Sequence, residues 1–268
     1  MCSHPHRQLR PLVAALLLVL RGSAAGEPQP TSTAQEELQA AKLLQTALFA
    51  RGAGADEWRK LDAIYADLAG RNPRNVEVLN AHAEFLWSIG ERVRAAEMWQ
   101  AVLAIDPNND VVLAHLGGAL LAAGKPREAL EHYERASKSK PDNALHHFTV
   151  ANVSFLFRHE LGVPEEVTFQ RALFHFAEAT RLAPQNVDFA RAYAETFYLL
   201  PTPDWRVALV AWENYHAITP KKDFALANLA RVHMKLGEKA AARDYLARIQ
   251  SPEFARLKAR LGERLEAE

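Results

Sequence analysis

The chain has 268 residues, 49% of them apolar and 24% charged, which excludes wholesale disorder, a collagen-like repeat and a many-span membrane protein. Lysine and arginine total 32, as do aspartate and glutamate, so the overall charge does not point to a polyanion such as nucleic acid. The only cysteine is Cys2, which excludes an internal disulfide and a thiolate metal cluster.

In chain order, residues 1–25 read as a secretory signal peptide. Arg7 and Arg10 precede the apolar run from Leu12 to Leu20, and Ser23, Ala24 and Ala25 offer a cleavage site. A nine-residue run covers about 14 Å as helix against a hydrocarbon core of about 30 Å, so an uncleaved membrane anchor is the weaker reading. Cys2 lies before this run, which is the wrong side for a lipidated lipoprotein residue. Cleavage would remove Arg7, Arg10 and Arg21, leaving 29 basic and 32 acidic side chains and a net charge of −3. The expected destination is the periplasm or the cell exterior, and residues 26–32 are expected to form a short disordered linker.

Thr33 and Glu36 have the spacing of a capping box for a helix from Gln35 to Ala50, and Leu61, Tyr65 and Leu68 then mark a second helical face. Beyond them a period emerges. Pro73, Pro107 and Pro141 are spaced by 34 residues, a coincidence of about one in 400 at the usual abundance of proline. Gly90 and Gly124 repeat the step, as do Ala95 and Ala129, and Tyr65, Trp99 and Tyr133 form an aromatic series with it. Each period holds two amphipathic helices, for example Val76 to Ile89 and Val93 to Ile105, with glycine closing the first and proline following the second. Almost no strand is expected.

These residues resemble the tetratricopeptide repeat family, whose unit is a 34-residue helix-turn-helix. Leu113, Leu116, Gly117, Leu120, Ala129, Tyr133, Ala136 and Pro141 occupy the slots of one unit. Leu79, His82, Ala83, Leu86, Ala95, Trp99, Val102 and Pro107 occupy those of the preceding one, with His82 where leucine is expected. Farther along, Ala151, Ala172, Phe176, Ala179 and Pro184 continue the pattern after nine extra residues, assigned to a loop from Arg158 to Val167. Tyr193, Ala194, Phe197, Ala208, Trp212 and Pro220 follow, with a stiff turn at Pro201, Thr202 and Pro203 and Asp204 as N-cap. A shorter unit runs from Leu226 to Ile249. Phe254, Leu257, Leu261 and Leu265 line one face of a last helix that presents Arg256, Lys258, Arg260 and Glu263 on the other.

The expected architecture is therefore an all-α, right-handed solenoid of about six such units over residues 33–252, closed by a capping helix at 253–268. The resemblance implies an interaction scaffold without enzymatic activity or cofactor, its partner a protein or peptide of unknown identity. It also implies a binding groove on the first helix of each hairpin. That face carries Glu77, Asn80, Glu84 and Trp87; then Ala114, His115 and Leu121; then Phe148, Asn152 and Phe155; then Asp188, Arg191, Glu195 and Tyr198; then Asn228, Arg231 and Met234. Trp87, His115, Leu121, Phe148, Asn152, Phe155, Arg191 and Tyr198 are the candidate contact residues. Burial of one phenylalanine or leucine contributes about 1.5–3 kcal/mol, which a partner could recover; the alternative is that adjacent repeats already bury these side chains. The lysine and asparagine clamp with which some members of the family hold a peptide carboxylate is not matched.

Two other functions are open to the sequence. One is an assembly subunit of an envelope or secreted complex that uses the convex face or the solenoid ends. The other is an enzyme with a site in the 158–167 loop, where His159 and Glu160 stand together. The 11 histidines include the pair His146 and His147, but none has the paired helical spacing around a glutamate that a zinc hydrolase needs. No glycine-rich phosphate loop is present. Asn152, Val153 and Ser154 make a glycosylation sequon inside an expected helix.

Overall fold

The computed structural model describes residues 33–267. The expected signal peptide (1–25), the linker (26–32) and Glu268 lie outside the described residues. Among those residues there are thirteen α-helices, two short 3-10 turns and no strand, so the expected all-α helical-repeat fold is the observed one. No helix among the described residues is long and apolar enough to cross a membrane. The chain divides into two compact units between Ala119 and Leu120, a point inside a helix and not in a linker.

The N-terminal unit comprises α1 (Ala34–Arg51), α2 (Ala55–Arg71), α3 (Val76–Ser88), α4 (Arg92–Ile105) and the beginning of α5 (Asp110–Ala122). The capping box forms as its spacing requires: Thr33 Oγ1 accepts from the Glu36 amide, and the Thr33 amide donates to Glu36 Oε2. Asn75 caps α3 by accepting from the Val78 amide. Gly90 closes α3 with φ 89°, and the Glu91 amide returns to the Leu86 carbonyl at 2.9 Å. Helix α3 packs on both α2 and α4, which explains why seven of its thirteen residues are buried. One core cluster results, running from Leu38 through Leu61, Tyr65, Phe85 and Trp99 to Leu116. Ala83 and Ala95 are fully buried within it, as close helix packing demands of small side chains.

His82 is buried in the leucine slot without loss of its polar partner. Its Nε2 lies 2.8 Å from Asp62 Oδ1, and the Arg94 guanidinium forks onto the same carboxylate at 2.8 and 3.1 Å. Burial raises the Asp62 pKa, but the hydrogen bonds from Arg94 and His82 outweigh it and hold the carboxyl below its ordinary value.

The C-terminal unit holds the end of α5, then α6 (Pro126–Ser139), α7 (Ala144–Leu156), α8 (Glu165–Leu182), α9 (Val187–Thr196), α10 (Trp205–Ile218), α11 (Lys222–Lys235), α12 (Lys239–Ala247) and α13 (Ala255–Ala267). The inserted segment differs from expectation. Glu165, Glu166 and Val167 form the first turn of α8, whose 18 residues absorb part of the insertion, so the connection spans only 157–164. Two acidic residues in a first turn suit the positive end of the helix dipole. The connection is anchored, because Leu161 is buried and its carbonyl accepts from Arg127 Nε at 3.1 Å.

Asp204 caps α10, accepting from the Arg206 and Val207 amides as the preceding Pro-Thr-Pro turn suggests. Buried side chains here gather in separate clusters: one around Phe197, Trp212 and Tyr215, one around Ala172 and Phe176, and one around Leu226, Leu246, Leu261 and Leu265. The last helix is shorter than expected at its start, since Phe254 sits in a 3-10 turn. Lys258 does not face open solvent; its ammonium donates to the Ala247 and Ile249 carbonyls and so closes the end of α12.

Candidate partner-binding surfaces

In the N-terminal unit, Trp87 is half-buried, 5.6 Å from the Trp99 ring, with the Arg92 guanidinium 4.1 Å over its face. His115 is half-buried on the other side of Trp99, ring to ring at 5.0 Å, and its Nδ1 lies 3.9 Å from Glu84 Oε1. Burial pushes the His115 pKa down, opposed by Glu84. These two candidates therefore form one aromatic face around Trp99.

In the C-terminal unit the apolar candidates are half-buried and already packed. Phe148 stacks on Phe189 at 4.3 Å and meets Phe176 edge-on at 5.7 Å. Phe155 lies 6.1 Å from Phe169, with the Arg158 guanidinium 5.7 Å from its ring. Leu121 and Asn152 are half-buried as well. Neighbouring repeats thus supply much of the contact that a partner would otherwise make. The large apolar side chains that are open to solvent include Leu156, Phe174, Leu199, Val207 and Val210, none of which the repeat pattern singles out.

Arg191 is exposed, pairs with Glu195 at 2.9 Å and lies 5.3 Å over the Phe224 ring. Tyr198 is half-buried and donates its hydroxyl proton to the Asn228 carbonyl at 3.0 Å, while the Arg231 guanidinium sits 4.2 Å over its ring. Burial raises the Tyr198 pKa, opposed by Arg231, so the phenol keeps its proton. Each of these two residues borders a cavity. One, about 750 Å³, lies among Arg191, Lys221, Asp223, Phe224 and Phe254. The other, about 490 Å³, lies among Tyr198, Trp205, Arg231, Met234, Lys235 and Arg264. The repeat pattern does not single out Lys235 and Arg264, because a lone lysine or arginine on an amphipathic helix reads as its solvated face.

The histidines make a second arrangement that the sequence half discloses. His146 and His147 are both buried, and the partner of His147 is His175 of α8, their Nδ1 atoms 2.9 Å apart. His147 Nε2 lies 3.1 Å from the Pro141 carbonyl, which can only accept, so the proton resides on Nε2 and Nδ1 accepts from His175. Burial first, then His147, push the His175 pKa down to about 4. In the connection before α8, His159 Nδ1 lies 2.7 Å from Glu165 Oε1. Among the described residues, no group of three or more histidine, cysteine or acidic side chains is disposed to hold a metal. Within the sequon, Ser154 is fully buried in α7 and the acceptor Asn152 is half-buried.

A tetratricopeptide repeat family model matches residues 86–151, which supports the repeat assignment made from the 34-residue period. No curated protein sequence matches the chain. Among solved structures, the fold is similar to YrrB, described as a tetratricopeptide repeat protein with an unusual peptide-binding site. The identity is 16%, with 74% of this chain and 97% of that one covered and a TM-score of 0.56. It is also similar to PilF of Pseudomonas aeruginosa, at 18% identity over 87% of this chain and 98% of the other, with a TM-score of 0.55. PilW, a type IV pilus biogenesis factor, matches at 17% identity over 84% and 96%, with a TM-score of 0.51. At these identities the likeness concerns the fold.

Proposed function

We propose that this chain, built of tetratricopeptide-type helical hairpins, is a non-enzymatic scaffold that holds a peptide or helix of a partner protein against the first helices of its hairpins. The observation that carries this reading is the pairing of accessible cations with aromatic faces on α9, the 3-10 turn after it and α11: Arg191 over Phe224 and Arg231 over Tyr198, each beside a cavity. Such surfaces combine apolar area with unspent hydrogen-bond donors, the composition that binding hot spots favour. Leu121, Phe148, Asn152 and Phe155 belong to this face as half-buried contact residues, with Trp87 and His115 forming a separate one in the N-terminal unit. The peptide-binding site named for YrrB lends the reading support by analogy of fold. Export through the expected signal segment is part of the proposal, and the likeness to a pilus biogenesis factor is consistent with it.

A second reading, an assembly subunit of an envelope complex, is favoured by one feature. Val207 and Val210 are exposed on one face of α10, the second helix of its hairpin, one turn apart.

Photo-crosslinking in the native host separates the two. A photoreactive residue at Asn152 or Arg191 is expected to capture a partner protein, and one at Val207 or Val210 to capture none. Capture confined to Val207 and Val210 overturns the scaffold face in favour of the assembly reading.

A further inference from the structure

We propose that the cavity between Tyr198, Trp205 and Met234 receives an acidic segment of a partner protein that also presents an aromatic or aliphatic side chain. This rests on the first-helix scaffold reading and specifies the chemistry recognised there. Three cations line the cavity, Arg231, Lys235 and Arg264, and no carboxylate does. Arg231 and Lys235 differ from four arginines of this unit that are matched to carboxylates: Arg181 to Glu178, Arg191 to Glu195, Arg206 to Glu238, and Arg243 to Glu266.

Arg231 and Lys235 make no ion pair among the described residues. Arg231 donates from Nη1 to Asn228 Oδ1 at 3.1 Å and rests on the Tyr198 ring, so most of its five donors are unspent and its plane is fixed. Lys235 Nζ stands 5.9 Å from the centroid of Trp205. Both residues are exposed, so a carboxylate reaches them without first being buried.

The remaining wall is apolar: Leu200, Pro201, Pro203, Trp205, Met234 and Leu261. The prolines have no amide proton to offer, and Met234 adapts to the shape of what it meets. A phosphate or a nucleic acid would use the cations and leave this wall wet. A peptide that alternates acidic and apolar side chains matches both parts, and about 490 Å³ falls within the usual range of small-ligand pockets.

The test uses the full chain and a labelled synthetic peptide with glutamates flanking one phenylalanine, read by fluorescence anisotropy. Binding is expected to weaken at least about tenfold in an Arg231→Gln, Lys235→Gln double variant, the scale of lost charge-assisted hydrogen bonds. It is expected to weaken as well when the phenylalanine is replaced by glycine, and to vanish when the glutamates become lysines. Because both cations are exposed, the double variant should keep the parental circular dichroism. Absence of binding, or binding indifferent to the double variant, overturns the proposal. Equal binding of the glycine peptide, or tighter binding of inorganic polyphosphate, overturns it in favour of a plain anion site. A partner crosslinked through Asn152 whose capture survives the double variant defeats this proposal and leaves the scaffold reading intact. Peptide binding of the expected pattern, with crosslinks from Val207 and Val210 alone, supports the cavity and defeats that reading.

Discussion

The two units use similar hairpins to different ends. In residues 33–119 the repeat step is regular, most of the buried apolar side chains join one cluster, and the buried His82 is matched to a carboxylate. In residues 120–267 the step is broken by nine inserted residues and by the Pro-Thr-Pro turn, and the clusters are smaller. There the buried His147 meets a second histidine, and cations rest on aromatic faces at the rims of cavities. Regular spacing lets each helix bury its whole inner face against its neighbours. Irregular spacing leaves part of that face uncovered, and the side chains left there are the ones with chemistry to offer.

Removing the central indole of each unit tests whether that contrast extends to stability. Trp99 and Trp212 are both essentially inaccessible to solvent. Replacing either by alanine should cost about 3–5 kcal/mol, the usual range for a buried aromatic. If larger clusters transmit the damage farther, Trp99→Ala should loosen hydrogen exchange across α2, α3 and α4, whereas Trp212→Ala should confine its effect to α9–α11. Equal spread in both variants would remove the distinction between one core and several.

A smaller effect is expected at the glycines. Alanine at Gly90 would meet no atom within 4 Å, so the cost is the left-handed conformation alone, about 1 kcal/mol. At Gly162, with φ 70°, the new methyl would lie 2.0 Å from Arg127 Nη2 and displace a guanidinium whose Nε holds the Leu161 carbonyl. Gly162→Ala should therefore cost about 2 kcal/mol in denaturant unfolding, the strain plus one hydrogen bond. An Arg127→Ala, Gly162→Ala double variant no worse than Arg127→Ala by more than the Gly90 value would confirm the coupling.

Acid separates the units further. His175 is depressed by burial, by His147 of α7, by Arg171 of its own helix and by Lys138 of α6, with Glu178 opposing. A group depressed on folding favours the native state fully above its unfolded pKa, near 6.5, and that contribution is lost as pH falls to about 4. Discounted for its partial exposure, the loss should be about 1–2 kcal/mol, read as the difference in pH dependence between the parent and His175→Asn. Asp62 of the N-terminal unit is also depressed, so its contribution is present above 3.8 and is lost only below it. Acid should thus weaken the C-terminal unit first, although His115, depressed by burial, moves the N-terminal one in the same direction. Parallel titrations of the parent and His175→Asn would contradict this.

What the sequence discloses of all this follows from range. Proline and glycine act within one turn, so the period, Gly90, Asp204 and the capping box at Thr33 are legible directly. Helix α8 starts three residues before the sequence suggests, because Glu165 and Glu166 suit a loop and a helix's first turn equally well. Helical phase assigns Arg191 and Tyr198 to the first-helix face. Their neighbours Phe224 and Arg231 lie 33 residues farther along, and no local rule pairs them. The same holds for His147 and His175, separated by 28 residues. For Phe148 and Phe155, periodicity reports a side of the helix but not whether the next repeat has already covered it.

The smallest expected effect isolates a single hydrogen bond. Trp99 donates from Nε1 to Asn80 Oδ1 at 3.1 Å, whereas Trp212 Nε1 is buried without a partner. Phenylalanine at position 99 removes a made bond and leaves the Asn80 carbonyl oxygen to find another donor; phenylalanine at 212 removes a donor that was never satisfied. Both substitutions also shed part of an indole and leave a similar void, so that contribution largely cancels between them. Trp99→Phe should then be the more destabilising by about 1 kcal/mol, the net value of a typical intramolecular hydrogen bond. If Trp212→Phe proves the costlier, its indole N–H has a partner in solution, and that buried position must be wet.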